Sequence, residues 1–434
     1  MPSPSPPTKT ALEQIAASVQ RVEDLLAALP GDVARELRTR IGTLRGILLD
    51  QRPPALALVG RRGAGKSSLI NALFGQRVAE VGHVKSQTGR GRWFDYTAAS
   101  GTLSILDTRG LQEGSLPTEA DDAKTPIESI VLELKKKAPD ALVFVIKASE
   151  VDAAIDADLT ALEKILAEIE RVHRFRPPVI CVLTHCDVLE PKATKLHDPA
   201  SERTDDLDEK LRHVAAAERQ IEDKLRARAA IAPHHVATVG ISAYMSWREN
   251  GEMRSDERWH MTELSTELFK LLPNAGRGMF VRIARVRGLQ EELAMTLTKA
   301  VAALCAGVAA IPIPVADLIP ITSMQVSLIA GIAWLSGRTL DLKASSEFLT
   351  ALGMNVGAAF VLREAARALV KYVFPGGGSV VSGAVAFAGT MALGAAARAY
   401  FIRGESIEDA KRAYATEKTE KSEKREKREK REKS

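Results

Sequence analysis

The stretch LVGRRGAGKSSLINALFG, residues 58–75, places three glycines, a lysine and two serines within positions 60–68. Glycine has no Cβ, so successive backbone N–H groups at such positions can surround an anion closely. The spacing matches the phosphate-binding loop G-x-x-x-x-G-K-[ST], which begins here at Gly60. The stretch therefore predicts a loop that binds a phosphate chain, and the alternative interpretation is a glycine-rich turn with a solvated lysine.

The flanking residues supply the structural context that such a loop requires. The apolar run at residues 55–59 predicts a strand before the loop, and residues 68–73 predict a helix after it. The N-terminus of that helix then directs the positive end of its dipole at the phosphates. Within the motif, we expect Lys66 to reach the β- and γ-phosphates and Ser67 to bind Mg²⁺. The expected nucleotide-binding residues of the loop are Gly60, Arg61, Arg62, Gly63, Ala64, Gly65, Lys66, Ser67 and Ser68.

The composition of the 434-residue chain indicates more than one folded domain and argues against some functions. Its 45% hydrophobic content can form a sizeable core, whereas 5% aromatic residues argue against a base-stacking platform for single-stranded nucleic acid. Three scattered cysteines indicate reduced thiols in a cytosolic compartment. The first residues, MPSPSPP, lack an apolar signal core, so we expect no secretion.

Changes in apolar periodicity divide the chain into five segments. Residues 53–276 alternate short apolar runs with amphipathic stretches, which predicts an α/β fold with a mostly parallel sheet covered by helices. Strands are expected at residues 55–59, 91–96, 102–106, 141–146, 179–183 and 236–241. The other segments are predicted to be a disordered start (1–10), N-terminal helices (11–52), an all-α domain (277–415) and a charged low-complexity tail (416–434).

The tail has a repetitive charge pattern, EKREKREKREK, that leaves nothing apolar to bury. Residues 417–434 contain nine Lys or Arg and six Glu, so they contribute +3 to the formal net charge of +5. The tail is either disordered or a lone solvated helix held by contacts from Glu to Lys or Arg. Its functional alternative is a weak electrostatic tether to anionic lipid or nucleic acid.

Two polar segments follow the phosphate loop in the order that nucleotide hydrolysis requires. Asp107 ends an apolar run and Gly110 follows three residues later, so we expect Asp107 to hold Mg²⁺ and the Gly110 N–H to lie near a γ-phosphate. Thr88, in a polar loop, is the candidate for a second hydroxyl on Mg²⁺, and Ser86 is its alternative. The expected catalytic set is Lys66, Thr88 and Gly110, and the expected metal ligands are Ser67, Thr88 and Asp107.

A third segment, Thr184-His185-Cys186-Asp187, follows an apolar run and is suited to recognise a base. The Asp187 carboxylate can accept hydrogen bonds from N1–H and the exocyclic amine of guanine, two donors that adenine does not present together. A metal site formed by His185, Cys186 and Asp187 is the competing interpretation. It is disfavoured because adjacent residues at a strand end point in divergent directions.

Taken together, GRRGAGKS, Thr88, DTRG and THCD resemble the Era/TrmE-like, dynamin-related branch of P-loop GTPases, of which the continuation SSLINALFG is typical. The resemblance implies a Ras-like G domain that binds GTP or GDP with Mg²⁺. It implies that Thr184, His185 and Asp187 contact guanine, and that Ser242 and Ala243 form the fifth motif beside the base. The Thr-His-x-Asp form is similar to that of immune-associated and chloroplast-import GTPases.

The hydrolytic residues depart from those of Ras-like enzymes, in which a glutamine after D-x-x-G orients the attacking water. This chain has Leu111 there, which implies slow hydrolysis and water placement by a dimer of G domains, a cation or a partner. Potassium-activated members carry Asn at the position of Gly63, so potassium stimulation is not predicted. Arg62 would obstruct an external arginine finger. Arg61 or Arg62 either supplies charge to the transition state or is a solvated loop arginine.

The C-terminal region carries a resemblance of its own. The sequences IPIPVAD, residues 311–317, and PGGGSVVSGAVA, residues 375–386, are similar to a helical domain of unknown function found in Era-like GTPases and YcjF-like inner-membrane proteins. The first sequence is expected to form a hairpin in which Asp317 caps the next helix. Residues 379–397 approach the length of a membrane span, but their small side chains also suit a soluble bundle, so peripheral association is favoured over insertion.

The sequence thus predicts a GTP-binding switch with slow Mg²⁺-dependent hydrolysis, coupled to a membrane surface or a protein partner. The expected location is the cytoplasm, with a peripheral position at the inner face of the cell membrane, and a homodimer of G domains is a further candidate assembly. The alternatives are a ribosome- or RNA-associated Era-like GTPase and a nucleotide-binding scaffold without turnover. Nucleic acid is the less favoured partner because the sequence lacks an aromatic RNA-binding platform.

Overall fold

The structure is a computed structural model that describes residues 9–26, 31–79, 92–107, 126–152, 155–196, 204–310, 319–353 and 378–432. Its contacts divide the chain into two compact units, one of Arg52–Ala284 and one of Met1–Gln51 with Arg285–Ser434. The N-terminal helices and the C-terminal helical region therefore belong to the same unit, whereas the sequence treats them as two segments.

The helices and strands are numbered in chain order. The helices are α1 (Lys9–Leu26), α2 (Gly31–Leu44), α3 (Lys66–Phe74), α4 (Pro126–Lys136), α5 (Ile155–His173), α6 (Asp205–Ala227), α7 (Met261–Leu271), α8 (Asn274–Ala284), α9 (Arg287–Ala310), α10 (Ile319–Leu335), α11 (Leu342–Ala351), α12 (Gly378–Ala397) and α13 (Ile407–Glu432). The strands are β1 (Ala55–Val59), β2 (Arg92–Ala98), β3 (Gly101–Asp107), β4 (Ala141–Lys147), β5 (Val179–Thr184), β6 (His235–Gly240), β7 (Met245–Trp247) and β8 (Met253–Asp256). Short π-helical turns follow α2 and α12, at Arg45–Leu49 and Arg398–Ile402, and 3₁₀ turns follow β4 and β5, at Ala148–Glu150 and Cys186–Val188.

Six of the strands described for the first unit form one sheet, in the order β2-β3-β1-β4-β5-β6. Strand β2 runs antiparallel to β3, and the other neighbouring pairs are parallel. These strands are the six apolar runs identified in the sequence, and their bounds differ from the expected ones by at most two residues. The predicted α/β class with a mostly parallel, Ras-like sheet is confirmed.

The central strands are buried on both faces, which explains why their sequences are uninterrupted apolar runs. Every residue of β1 and β5 is buried, and in β4 only the last residue, Lys147, is partly exposed. Each fully buried Val, Leu, Ile or Phe side chain stabilises the fold by roughly 1.5–3 kcal/mol relative to an exposed one. Because parallel strands end at the same edge of a sheet, the loops that follow β1, β3 and β5 meet at one edge.

The hairpin β7–β8 was not predicted from the sequence. Its strands have three and four residues, and the pairing register shifts between Ser246 and Trp247. Strands this short do not show enough alternation of apolar and polar residues to be recognised. After the hairpin, Arg258 donates a 2.9 Å hydrogen bond from Nη1 to the Ala72 carbonyl of α3, so the segment is joined to the helix of the phosphate loop.

In the second unit, α9 packs against α2, α10 and α12, and α1 packs against α10 and α2. The predicted N-terminal helices and C-terminal helical region are confirmed. The expected hairpin at residues 311–317, with its cap Asp317, lies outside the described residues. Helix α13 extends through the tail to Glu432. Of the two forms predicted for the tail, disordered or helical, the structure has the helical one.

Two helices among the described residues are long and apolar enough to cross a membrane, Arg287–Ala310 and Gly383–Ile402. More than half of the most apolar window of each helix is buried within the protein. Core helices of helical bundles have the same length and composition, because they are apolar around most of their circumference. Packing against neighbouring helices is therefore sufficient to account for both apolar sequences.

Small residues allow α9 and α12 to approach each other closely. A Cβ on Gly394 would overlap the side chain of Thr298, which is fully buried and donates a 2.7 Å hydrogen bond to the Ala294 carbonyl. A Cβ on Gly383 would lie 3.0 Å from the Ala306 carbonyl oxygen. These glycines of α12 are therefore required by packing and not by backbone conformation.

We predict that Gly394→Ala destabilises the helical unit, because Thr298 is stiff at χ1 and cannot move away from the added methyl group. Overpacking of this kind costs about 1–3 kcal/mol. The matched control is Gly389→Ala in the same helix, where no atom lies within 4 Å of the added Cβ. Thermal denaturation of both variants should show a lower midpoint for Gly394→Ala alone, and equal midpoints would contradict the close packing.

Candidate functional site

The phosphate-loop sequence forms a tight turn between β1 and α3. Gly63 and Gly65 have φ values of 76° and 87°, a left-handed conformation that glycine adopts without steric cost. A Cβ on Gly60 would overlap the carbonyl of Val145 in β4, so the chain leaves β1 against the neighbouring strand. The helix begins at Lys66, and no side chain caps its N-terminus. The first backbone N–H groups of α3 are therefore oriented as in an anion-binding helix terminus.

The Lys66 ammonium lies within the loop itself. Its Nζ donates hydrogen bonds to the carbonyl oxygens of Gly60, at 2.8 Å, and Arg61, at 2.9 Å. Ser67 and Ser68 follow in the first turn of α3, and both are half-buried. The loop thus brings a cation, two hydroxyl groups and the helix N-terminus to one place.

Arg61 differs from both interpretations made from the sequence. Its Nε donates a 2.6 Å hydrogen bond to Oδ2 of Asp158 in α5, and only 4% of the Asp158 side chain is exposed. Burial raises the pKa of the Asp158 carboxyl, and the Arg61 guanidinium opposes that shift. Among the described residues, the second oxygen, Oδ1, has no hydrogen-bond partner. The side chain of Arg61 therefore ties the phosphate loop to α5, while Arg62 is exposed.

Thr184 connects the phosphate loop to the end of β5. Its hydroxyl is buried and lies 2.8 Å from the Ala64 carbonyl oxygen and 3.2 Å from that of Ile146 in β4. The ring of His185 lies 2.9 Å, through Nδ1, from the Thr184 hydroxyl. A Cβ on Gly65 would be 3.2 Å from Cε1 of His185, so the imidazole covers the loop. Thr184 and His185 therefore contact the phosphate loop directly, in addition to leading the chain to Asp187.

The surroundings of the His185 imidazole lower its pKa. Burial lowers the pKa of this histidine, and the carboxylates of Asp187 and Glu150 oppose that effect. The neighbouring Lys147 ammonium lowers the pKa further. The net effect of these surroundings favours the neutral imidazole of His185.

One pocket of about 640 Å³ joins the phosphate loop to the candidate base site. Its lining includes Gly65 and Ser68 on one side and Asp187 and Ala243 on the other. The volume lies in the range of small-molecule and cofactor sites. Two residue sets that are more than 100 positions apart in the sequence thus face the same cavity.

Of the two residues of the predicted fifth motif, Ser242 and Ala243, only Ala243 lines this pocket. Ala243 lines it, whereas Ser242 is fully buried and pairs with Trp259 through two backbone hydrogen bonds of 3.0 and 3.2 Å. The Ser242 hydroxyl also accepts a hydrogen bond from the Tyr244 N–H at 3.4 Å. Ser242 therefore fixes the backbone of this loop, and Ala243 is the residue that faces the cavity.

The remaining predicted site residues are only partly described. Thr88 and Gly110 lie outside the described residues. Asp107 ends β3, where its backbone is in register with Leu58 of β1, and its side chain is not described. This register places Asp107 at the sheet edge from which the phosphate loop begins, where a magnesium ligand is expected.

Several residues that support the site were not found by sequence reasoning. Asn71 accepts hydrogen bonds from the N–H groups of Val78 and Ala79 and so anchors the chain that leaves α3. Lys210 of α6 is fully buried, and its ammonium donates to the Asp187 carbonyl at 2.5 Å. Other newly identified residues line the pocket: Arg77, Tyr244, Met245, Ser246 and Trp247. The sequence signal for Lys210 was weak because its partner lies 23 residues away, and the residues of the short hairpin show no periodic pattern.

The competing metal-site interpretation receives no structural support within the described part of the chain. That part contains no group of three or more His, Cys, Asp or Glu side chains able to hold a metal ion. Burial raises the pKa of the Cys186 thiol to about 12, which disfavours the thiolate that metals bind. Cys186 is therefore the residue of the Thr184–Asp187 segment whose side chain belongs to the hydrophobic core.

We predict that Thr184→Val lowers both stability and nucleotide affinity, because the buried Ala64 carbonyl loses its donor. An unsatisfied buried acceptor costs about 1–3 kcal/mol. The matched control is Thr160→Val, since the Thr160 hydroxyl is exposed and bonds only to the Asp156 carbonyl within α5. Thermal denaturation and nucleotide titration of both variants test this role, and wild-type behaviour of Thr184→Val would refute it.

Comparison with known proteins agrees with this geometry. A family model described as "50S ribosome-binding GTPase" matches residues 55–185. GTPase Der of Herpetosiphon aurantiacus is 29% identical over 191 residues, which cover 39% of this chain and 39% of that protein. Translocase of chloroplast 34 of Pisum sativum is 33% identical over 110 residues, which cover 25% of this chain and 34% of that protein. The chain thus spans about two fifths or less of the length of these relatives.

A solved structure of Toc33 from Arabidopsis thaliana in complex with Mg²⁺ and GMPPNP is also similar. It is 18% identical, covers 61% of this chain and 94% of its own, and has a TM-score of 0.31. The family model and the geometry of the phosphate loop concern the same part of the chain. Residues 55–185 therefore belong to a P-loop GTPase domain related to GTPase Der and to Translocase of chloroplast 34.

Proposed function

We propose that this chain binds GTP and GDP with Mg²⁺ and hydrolyses GTP slowly, as a conformational switch. The observation that carries the proposal is the shared pocket, in which Gly65 and Ser68 of the phosphate loop face the same cavity as Asp187. A phosphate loop alone accepts any nucleoside triphosphate. The carboxylate of Asp187 adds a group that can pair with the two donors of guanine.

The phosphate end of the nucleotide is assigned to the loop and the first turn of α3. Successive backbone N–H groups of residues 60–67 bind the phosphates, and Lys66 neutralises their charge. The hydroxyl of Ser67 and the carboxylate of Asp107 are the proposed magnesium ligands, with Thr88 as a further ligand in the triphosphate state. The magnesium ion would neutralise charge that develops on the phosphate oxygens.

The hydrolysis step is proposed to be slow because the chain has Leu111 at the position that orients the attacking water in Ras-like enzymes. A leucine side chain cannot hydrogen-bond to water. Water placement then requires a contribution from outside the described site, for which a homodimer of G domains or a partner protein is the proposed source. The Gly110 N–H is the proposed contact to the γ-phosphate.

The helical unit is the proposed output of the switch, through a membrane surface or a protein partner. Its two apolar helices, Arg287–Ala310 and Gly383–Ile402, are largely buried, which favours peripheral association over insertion. The proposed location is the cytoplasm and the inner face of the cell membrane. A second candidate function, as a ribosome-associated GTPase, is favoured by the description of the matching family model, "50S ribosome-binding GTPase".

We predict that Lys66→Ala abolishes binding of GDP and GTP, because the loop loses the cation that offsets the phosphate charge. The matched control is Lys164→Ala, which removes an exposed lysine from α5, outside the site. Titration of fluorescent GDP in the presence of Mg²⁺ measures both variants. Retained guanine nucleotide affinity in Lys66→Ala would refute the site, and loss of affinity in the control would indicate nonspecific binding.

The output of the switch is tested by phosphate release from GTP under three conditions: protein alone, with liposomes containing anionic lipid, and with ribosomal 50S subunits. We expect slow release from the protein alone and stimulation by liposomes, because the helical unit is the proposed membrane contact. Stimulation by 50S subunits instead would favour the ribosome-associated candidate. Absence of release in every condition would contradict the hydrolysis proposal and favour a scaffold.

A further inference from the structure

Lys210 is a buried lysine in the second turn of α6. Its side chain has no exposed surface, and its ammonium donates hydrogen bonds to three backbone carbonyls. The acceptors are Asp187 at 2.5 Å, Thr194 at 2.8 Å and Pro191 at 3.2 Å. All three belong to the segment that leaves β5 and contains the candidate base-recognition carboxylate. One side chain therefore connects three backbone positions of this segment.

The buried charge of Lys210 is compensated by the groups around it. Burial lowers the pKa of Lys210, and the nearby carboxylates of Asp187 and Glu190 oppose that shift. An ammonium group has three donors, and here each of them has a carbonyl acceptor. Hydrogen bonds to charged groups are stronger than those between neutral groups. The segment 187–194 is thus organised around one fully satisfied cation.

Helix α6 also contacts the loop after β6, which lines the pocket on the same side as Asp187. Glu218, two turns after Lys210 in α6, accepts a 2.7 Å hydrogen bond from the Gly240 N–H at the end of β6. A Cβ on Gly240 would lie 2.8 Å from Cγ1 of Val214, so β6 approaches α6 closely. The chain continues from Gly240 to Ala243, which lines the pocket. Helix α6 therefore contacts both loops that form the base side of the pocket.

We propose that Lys210 is a positioning residue that sets the selectivity of this chain for guanine, by fixing the backbone of Asp187. The inference rests on the proposed function, because it assigns Asp187 the recognition of guanine. Lys210 itself does not line the pocket and acts through the Asp187 backbone. A displacement of that backbone would move the carboxylate away from the two guanine donors while leaving the phosphate loop unchanged.

The test compares GDP with ADP, which shares the phosphates and ribose but lacks the two donors. In Lys210→Met, a variant of similar length and no charge, we expect the affinity for GDP to fall about tenfold or more, since hydrogen bonds to a charged group are involved. The affinity for ADP should stay within about twofold, because the loop 60–67 holds both nucleotides in the same way. Calorimetric or fluorescence titrations with Mg²⁺ give both values.

A double-mutant cycle separates positioning from general destabilisation. Asp187→Ala should abolish the preference for GDP over ADP, and adding Lys210→Met to it should change neither affinity further. Lys224→Met is the matched control, because Lys224 lies in the same helix and bonds only weakly to the Val151 carbonyl, at 3.4 Å. Equal loss of GDP and ADP affinity in Lys210→Met, or additive losses in the double variant, would overturn the proposal.

A measurement on the unchanged chain covers the case in which Lys210→Met does not fold. Nitrogen-15 NMR can detect the Nζ of a buried ammonium that exchanges its protons slowly. We expect GDP, but not ADP, to shift the Lys210 signal, and an unshifted signal with bound GDP would overturn the inference. If the unchanged chain binds neither nucleotide, the proposed function fails as well. If it prefers GDP while Lys210→Met keeps that preference, only the present inference fails.

Discussion

The hydrogen bond between the Thr184 hydroxyl and the Ala64 carbonyl is the interaction on which the site depends. It joins the turn after β1 to the end of β5, two strands that are separated in the sheet by β4. Because the hydroxyl also lies close to the Ile146 carbonyl, one buried group fixes three neighbouring strand ends. The phosphate loop and the Asp187 segment thereby keep one relative position, which a ligand with a phosphate at one end and a base at the other requires.

Much of the first unit could be predicted from the sequence, for a physical reason. Parallel strands covered on both faces must be apolar at every position, so each strand appears as a short apolar run between polar loops. The hairpin β7–β8 has no such pattern because its strands are short and partly exposed. The grouping of the N-terminal helices with the C-terminal helices could not be predicted either. The apolar face of an amphipathic helix indicates that the helix packs against something, but it does not identify the element against which it packs.

In the candidate site, too, some features could be predicted from the sequence and others could not. The turn of the phosphate loop could be predicted because its residues are contiguous and two of its glycines, Gly63 and Gly65, have conformations that few other residues adopt. The ion pair of Arg61 with Asp158 and the hydrogen bond of Lys210 to Asp187 could not, because each joins residues that lie far apart in the chain. In the sequence, Asp158 and Lys210 are indistinguishable from the charged residues that cover exposed helix faces. Their burial becomes visible only when the tertiary contacts are known.

The most direct measurement is a crystal structure of the chain with GDP and Mg²⁺. The account predicts that the β-phosphate lies among the backbone N–H groups of residues 60–67. It also predicts that the guanine N1–H and amine donate hydrogen bonds to the Asp187 carboxylate, at the heavy-atom distances of about 2.7–3.2 Å that such bonds show. A nucleotide bound elsewhere, or a base turned away from Asp187 while the phosphates occupy the loop, would contradict it.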